Sequence, residues 1–96
     1  MFNNSFLKKL NILFIESNTE DREHFSNILY KFFNNVVVCS NGKDGIDNFL
    51  EKRQEYFVDI IICDKTLEDI TGIEVLKKIR EIDSEIPFII TSPKIE

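Results

Sequence analysis

Residues 58–64 read Val58-Asp59-Ile60-Ile61-Ile62-Cys63-Asp64, a run of mostly β-branched residues that leads to an aspartate. Its apolar residues are nearly continuous and do not alternate with polar ones. Continuous runs of this length are typical of a parallel strand that has both faces covered by helices. The stretch therefore predicts a buried strand with a carboxylate at its carboxyl end.

Three shorter apolar runs elsewhere in the chain predict further strands. They are Ile12-Leu13-Phe14-Ile15, Val36-Val37-Val38 and Pro87-Phe88-Ile89-Ile90-Thr91. The last run opens with a proline, which is tolerated at the first position of a strand.

Between these runs, the apolar residues take the spacing of amphipathic helices. The predicted apolar stripes are, in chain order, Phe25/Ile28/Leu29/Phe32, Ile46/Phe49/Leu50 and Ile73/Leu76/Ile79. Ser17, followed three residues later by Glu20, predicts a capping box at the start of the first helix. The resulting order β-α-β-α-β-α-β predicts an α/β protein with a doubly wound parallel sheet.

The composition indicates one small domain and excludes some classes of partner. The 96 residues carry 12 Lys and Arg against 17 Asp and Glu, a net charge of −5, which argues against binding to nucleic acid. No apolar stretch is long enough to suggest a membrane span. Cys39 and Cys63 each follow an apolar run and suit buried thiols in a reducing compartment, so we expect a cytoplasmic protein.

Functional residues of a parallel sheet are expected just beyond the carboxyl ends of its strands. Those positions hold Glu16, Ser40, Asp64 and Ser92. If the first and third strands are neighbours, Glu16 and Asp64 face one another, and a divalent cation such as Mg²⁺ would relieve their repulsion. A carboxylate there could also attack phosphorus and form an aspartyl phosphate. The alternative is that these polar residues only cap helices, and the residues alone leave both interpretations open.

From Leu10 to Ser92, the chain resembles the receiver domain of bacterial two-component response regulators. The stretch Val58–Asp64, with Gly72 eight residues after Asp64, is similar to the strand, loop and third helix around the phosphoryl acceptor of that family. Two further stretches are also similar to the family, Ile86–Ser92 to its fourth strand and Ser40–Gly45 to its turn into the second helix. The resemblance implies a CheY-like, flavodoxin-like fold with strand order 2-1-3-4.

The resemblance also implies a role for particular residues. Asp64 would accept a phosphoryl group from a histidine kinase or a phosphotransfer protein. Glu16, Asp64 and the backbone carbonyl of Thr66 would hold Mg²⁺, and Ser92 would be the switch residue that reports phosphorylation to a partner or output surface. Such a domain is a phosphoacceptor in phosphorelay signalling and catalyses at most its own phosphorylation and dephosphorylation.

Several positions depart from the pattern of the family. Ser17 stands where the family usually has a second acidic ligand, which would weaken Mg²⁺ binding, and the loop Lys65–Asp69 lacks the usual Met-Pro. Glu68 and Asp69 are the nearest carboxylates that could replace the missing charge. Lys94 lies too near the fourth strand to match the lysine of the family. These departures favour an alternative function, a pseudo-receiver that acts as an interaction module without phosphorylation.

We expect residues 1–96 to form one receiver domain that is incomplete after the fourth strand, the last helix-strand-helix being missing, with a flexible segment over residues 1–9. The fourth strand would then be an edge, which predicts a homodimer or strand exchange through that flank. In strand order 2-1-3-4, Cys39 and Cys63 would be separated by the first strand. Their distance of about 10 Å is too long for a disulfide.

A small α/β enzyme or a flavin-binding protein of similar topology is a third hypothesis. It is the weakest, because Gly42, Gly45 and Gly72 form neither a dinucleotide fingerprint nor a phosphate-binding loop.

Overall fold

The computed structural model describes residues 5–55 and 57–92, which form a four-stranded parallel sheet and three α-helices. A 3-10 helix, Leu7–Lys9, comes before the first strand. The strands and α-helices are, in chain order, β1 (Asn11–Ile15), α1 (Thr19–Phe32), β2 (Asn35–Cys39), α2 (Gly42–Lys52), β3 (Ile60–Asp64), α3 (Gly72–Ile82) and β4 (Phe88–Thr91). The predicted α/β class and the predicted order of elements are confirmed.

The strands lie in the order β2-β1-β3-β4, as predicted. All three neighbouring pairs are parallel. Ile15 of β1 pairs with Cys39 on one side and with Cys63 on the other, so a whole strand separates the two cysteines. Both thiols are free and buried, and burial raises the pKa of Cys39 to about 11 and that of Cys63 to about 12. The prediction that they form no disulfide is confirmed.

The main core lies between the sheet and the two helices α2 and α3. Leu13, Ile15, Ile61 and Cys63 project from the strands and are fully buried. On the helices they are met by Phe49, Val75 and Ile79. Alternate residues of the central strands supply this core, while their neighbours in sequence face the opposite side of the sheet.

The opposite side of the sheet carries α1 and is less completely covered. Phe14 is buried there and, together with Phe25, Ile28, Leu29 and Ile62, lines an apolar cavity of about 400 Å³. Phe25 remains 37% exposed and Ile28 39% exposed. The apolar stripe predicted for the first helix therefore forms, but it is only partly buried by the described residues.

The predicted boundaries of β3 and β4 need small corrections. Val58 and Asp59 precede β3 rather than forming its start, because the Asp59 carboxylate accepts a 2.8 Å hydrogen bond from the Asn11 backbone N–H. Pro87 likewise precedes β4. Proline has no N–H to donate to a neighbouring strand. Its carbonyl still accepts a hydrogen bond from the Ile61 N–H at 3.0 Å.

The capping box predicted from Ser17 and Glu20 is wrong. Asn18 is the N-cap of α1, and its side-chain oxygen accepts a 2.9 Å hydrogen bond from the Asp21 N–H. Asparagine caps at least as well as serine, and the Ser17 hydroxyl is engaged in contacts with other parts of the chain.

In α2 and α3, the residues that are buried against the sheet differ in part from those of the predicted apolar stripes. In α3, Ile79 is buried as predicted, but Ile73 is 47% exposed and Val75 takes the second buried position. In α2, Phe49 is buried as predicted, whereas Leu50 is 43% exposed. In each helix, only some of the apolar residues face the sheet and are buried, and the others remain exposed to solvent.

Some sequence predictions fall on residues at the two ends of the chain. Residues 1–4 and Lys94 lie outside the described residues, and the predicted flexibility of residues 1–9 stays a prediction. Within residues 5–55 and 57–92, none of the helices is long and apolar enough to cross a membrane.

Candidate functional site

An open cleft of about 670 Å³ lies at the carboxyl ends of β1, β3 and β4. It is lined by Glu16, Ser17, Asn18, Asp21, Asp64, Lys65, Thr66, Leu67, Glu68 and Ser92. Three of the four strand-end residues that the sequence singled out are therefore brought together. Ser40, the fourth, follows the neighbouring strand β2 and does not line the cleft, but its backbone carbonyl accepts a hydrogen bond from the Ser17 hydroxyl.

Glu16 and Asp64 form an acid pair in the floor of this cleft. β1 and β3 are neighbours, and the pairing of Ile15 with Cys63 places the two carboxylates directly after paired residues. Glu16 is only 1% exposed, whereas Asp64 is half-buried. The two carboxyl groups are therefore close enough for the charge of Asp64 to act on Glu16.

The environment of Glu16 makes its ionised form unfavourable. Burial, followed by the charge of the neighbouring Asp64, raises the pKa of Glu16 from 4.5 to about 7. A 3.1 Å hydrogen bond from the Asn18 N–H to Glu16 Oε2 acts in the opposite direction but is outweighed. A buried carboxylate beside a second one is the arrangement that a bound cation would relieve.

Thr66 and Ser92 line the cleft from its two sides. Thr66 lies in the loop of residues 65–71, which joins β3 to α3, and this loop closes on itself through a bridge between Thr66 and Thr71. Ser92 is the residue after β4, whose last residue, Thr91, pairs with Asp64. Both predicted residues are thus placed within the same cleft as the acid pair.

Ser17, which replaces the acidic residue expected from the family resemblance, is tied to backbone on both sides of the cleft. Its hydroxyl donates a 2.7 Å hydrogen bond to the Ser40 carbonyl and accepts a 3.0 Å hydrogen bond from the Glu68 N–H. Ser17 therefore joins the end of β2 to the loop that carries Thr66.

Of the two carboxylates considered as replacements for the missing charge, only Glu68 lines the cleft. Asp69 is directed away from the cleft, because its carboxylate accepts hydrogen bonds of 2.8 and 2.9 Å from the N–H groups of Gly42 and Lys43 at the start of α2. Desolvation raises the pKa of Asp69, but these N–H donors and that of Ile70 outweigh it and lower the pKa overall.

Sequence reasoning missed Arg22, which supports the segment containing Glu16. Its guanidinium donates hydrogen bonds of 3.1 Å to the backbone carbonyls of both Glu16 and Ser17. The sequence did not predict this role, because a basic residue in the first turn of a helix normally points into solvent.

The cleft supplies oxygen donors of the kind that a hard divalent cation binds. In the described part of the chain, no group of three or more His, Cys, Asp or Glu side chains is arranged to hold a metal ion. Glu16 and Asp64 supply two carboxylates, and Mg²⁺ commonly binds one or two carboxylates together with several waters. The acid pair has the oxygen ligands that Mg²⁺ prefers, and a bound cation would reduce the repulsion between the two carboxylates.

The fold and the cleft define a doubly wound α/β domain with an acid pair at the carboxyl edge of its sheet. Residues 12–96 match the family described as the response regulator receiver domain. The chain belongs to this family, whose members are signalling domains.

Two curated relatives and a solved structure illustrate the similarity. The sensory transduction protein LytT of Oceanobacillus iheyensis is 34% identical over 86 residues, which are 88% of this chain and 34% of LytT. The 3',5'-cyclic-nucleotide phosphodiesterase regA of Dictyostelium discoideum is 29% identical over 86 residues, which are 88% of this chain and 11% of regA. The chain thus spans about a third or less of these relatives.

The fold is similar to that of a chain in the crystal structure of the CheX-CheY-BeF3-Mg+2 complex from Borrelia burgdorferi. The TM-score is 0.79 at 20% identity, and the match covers 97% of this chain and 69% of that chain. This likeness supports the shared architecture of the sheet and helices.

Proposed function

We propose that this receiver domain accepts a phosphoryl group on Asp64 from a histidine kinase or a phosphotransfer protein, in the cytoplasm of a bacterial cell. The observation that carries the proposal is the acid pair of Glu16 and Asp64 in the floor of the cleft. Asp64 is the more accessible member, so it is the one that can reach a donor. The membership of the chain in the receiver family supports the same role.

In the proposed reaction, a carboxylate oxygen of Asp64 attacks the phosphorus atom of a phosphohistidine. A bond forms between that oxygen and phosphorus, the bond from phosphorus to the imidazole nitrogen breaks, and the donor histidine keeps the electron pair. When bound by Glu16, Asp64 and the Thr66 carbonyl, Mg²⁺ would neutralise charge on the transferred phosphoryl oxygens. The protein otherwise contributes position, because Asp64 is fixed at the end of a paired strand.

Ser92 is the proposed switch residue. It follows β4 directly, and the pairing of Asp64 with Thr91 keeps it close to the acceptor strand. In the phosphorylated protein, the Ser92 hydroxyl would donate a hydrogen bond to the acyl phosphate. The resulting movement at the end of β4 would alter the surface offered to a partner or output domain.

The pseudo-receiver alternative is less favoured. A purely structural module gains nothing from a fully buried Glu16 beside Asp64, because two adjacent carboxylates destabilise the folded state above neutral pH. The substitution at Ser17 removes one expected ligand but leaves this pair in place.

Incubation with Mg²⁺ and acetyl phosphate is expected to add one phosphoryl group to the protein, because Asp64 is accessible in the cleft. Intact mass spectrometry measures the product. Asp64→Asn is expected to gain none, whereas Asp59→Asn, at the other end of β3, is the matched control and keeps the gain. An unmodified protein, or equal modification of Asp64→Asn, would contradict the proposal.

We further propose that two copies of the domain associate through the flank of β4. Among the described residues, β4 pairs with β3 alone and leaves its other edge open. Ile89 on this strand is 48% exposed, beside the partly covered face that carries Phe25 and Ile28. An open edge next to apolar surface favours pairing with a second copy.

Sedimentation velocity at increasing protein concentration tests this association, and a dimer is the expected result. Ile89→Lys should weaken dimerisation about tenfold or more, because a charged edge residue opposes strand pairing. Ile73→Lys is the matched control, since Ile73 is equally exposed but lies on α3 and not on the open edge strand. A monomer at every concentration would rule out the proposed dimer.

A further inference from the structure

The loop of residues 65–71 is held to the rest of the domain by two neighbouring residues. The Glu68 N–H donates a 3.0 Å hydrogen bond to the Ser17 hydroxyl, which in turn donates to the Ser40 carbonyl at 2.7 Å. The Asp69 carboxylate binds the N–H groups at the start of α2. Both ties lead to the same place, the turn between β2 and α2.

The ties act close to Thr66, one of the loop residues that line the cleft. Thr66 lies two residues before Glu68, and the loop is closed by the hydrogen bond from the Gly72 N–H to the Lys65 carbonyl at 2.9 Å. Because the loop is closed at its ends and tied at residues 68 and 69, the backbone at Thr66 has little freedom to move. The Ser17 hydroxyl uses its one proton and one lone pair for this purpose.

We propose that Ser17 is a positioning residue, which holds Thr66 at the cleft and so preorganises Mg²⁺ binding in place of a charged ligand. The inference rests on the proposed function, since it takes the Thr66 carbonyl as a ligand. A carbonyl on a loose loop must be ordered when the cation binds, and that entropy cost lowers affinity. In a loop that is already held in place, this entropy is lost during folding and not on Mg²⁺ binding. The resulting gain in affinity compensates in part for the missing carboxylate.

Ser17→Ala and Ser17→Thr form the pair of variants that tests this role. Ser17→Ala removes the hydroxyl, so in the metal-free protein the Glu68 amide is expected to exchange hydrogen at least about tenfold faster. Calorimetric titration with Mg²⁺ is expected to show about tenfold weaker binding, the usual effect of losing an outer-shell contact. Ser17→Thr keeps a hydroxyl and should restore both values to within about twofold of the unaltered protein.

Ser40→Ala is the matched control, because it removes a hydroxyl from the same turn and keeps the carbonyl that Ser17 uses. It is expected to bind Mg²⁺ like the unaltered protein. If Ser17→Ala binds Mg²⁺ as tightly as the unaltered protein, the proposed role of Ser17 is wrong, but the proposed metal site is not affected. An unaltered protein that binds no Mg²⁺ would overturn the proposed metal site as well, so the two failures can be told apart.

Asp69→Asn reaches the same loop without touching Ser17, and it provides a second test if Ser17→Ala does not fold. The Asp69 carboxylate accepts one hydrogen bond on each oxygen, from the N–H groups of Gly42 and Lys43, whereas an asparagine side chain has only one acceptor oxygen. Mg²⁺ binding should therefore weaken by about threefold to tenfold. Asp44→Asn removes a charge from the same helix start but leaves the loop tied, and it should have little effect. Equal effects of the two variants would show that charge, and not loop position, matters.

Discussion

Glu16→Gln is expected to raise the free energy of unfolding of the metal-free protein by about 3 kcal/mol at pH 8. The pKa of Glu16 is raised from 4.5 to about 7 by burial and by Asp64, so at pH 8 the folded protein carries an unfavourable buried charge. Glutamine has nearly the same shape and no charge. Its amide oxygen can still accept the hydrogen bond from the Asn18 N–H, and its amide group can donate to Asp64.

The pH dependence of this effect has a definite sign. Between pH 4.5 and about 7, folded Glu16 keeps a proton that the unfolded chain has released, so the stability of the unaltered protein falls as the pH rises through this window. Below pH 4.5 the group is protonated in both states and contributes no penalty. The advantage of Glu16→Gln is therefore expected to be near zero at pH 4 and complete above pH 7.

Urea unfolding at several pH values, in the presence of a chelator, measures this difference. Glu51→Gln is the matched control, because Glu51 lies exposed on α2 and its replacement should change stability little at any pH. A Glu16→Gln protein that is less stable than the unaltered one at pH 8, or whose advantage does not change with pH, would contradict the description of the acid pair.

Gly72→Ala is expected to destabilise the domain by about 2 to 3 kcal/mol, because α3 begins in direct contact with the end of β3. A Cβ atom at Gly72 would lie 2.6 Å from the Asp64 carbonyl oxygen and 3.2 Å from the Lys65 Cα. Both obstacles are backbone atoms, so relief requires the helix to move away from the strand. The same shift would displace Asp64, the proposed phosphoryl acceptor, so phosphorylation should slow as well.

Gly42→Ala provides the comparison for Gly72→Ala. A Cβ atom at Gly42 would meet side chains, with the closest contact 2.5 Å from Ile70 Cγ1. The fully buried Val75 would also be close, with its Cγ2 at 2.9 Å. Because both obstacles are side chains that can shift without moving the backbone, the cost should be smaller than at Gly72. Urea unfolding of both variants would contradict this explanation if Gly42→Ala proved the more destabilising.

The fold could be predicted because its main signals are local. The four apolar runs and the helical spacing between them determine the α/β class and the order of elements, whatever the details of packing. The positions of Glu16 and Asp64 followed for the same reason, since residues after adjacent parallel strands must meet at one edge of the sheet. The strand order itself came from the family resemblance rather than from a local pattern.

The details that failed depend on contacts between residues distant in sequence. Ser17 and Glu20 have the spacing of a capping box, but Ser40 and Glu68 compete for the same hydroxyl and leave the cap to Asn18. Nothing in the sequence shows that these partners lie nearby.

Asp69 illustrates the same limit for the site. It lies in the loop beside the cleft, so its sequence position made it a candidate for the missing charge. Its carboxylate instead meets the start of α2, where two backbone N–H groups offer stronger hydrogen bonding than open solvent. Side-chain direction in a loop is decided by such tertiary contacts.

Identification of the phosphorylated residue decides whether Asp64 is the phosphoryl acceptor. After incubation with Mg²⁺ and acetyl phosphate, borohydride reduces an aspartyl phosphate to homoserine, and peptide mass spectrometry identifies the converted residue. Homoserine is expected at position 64, with Asp59, Asp69 and Glu16 unchanged. Conversion at another carboxylate, or at none, would contradict the assignment of Asp64 as the phosphoryl acceptor.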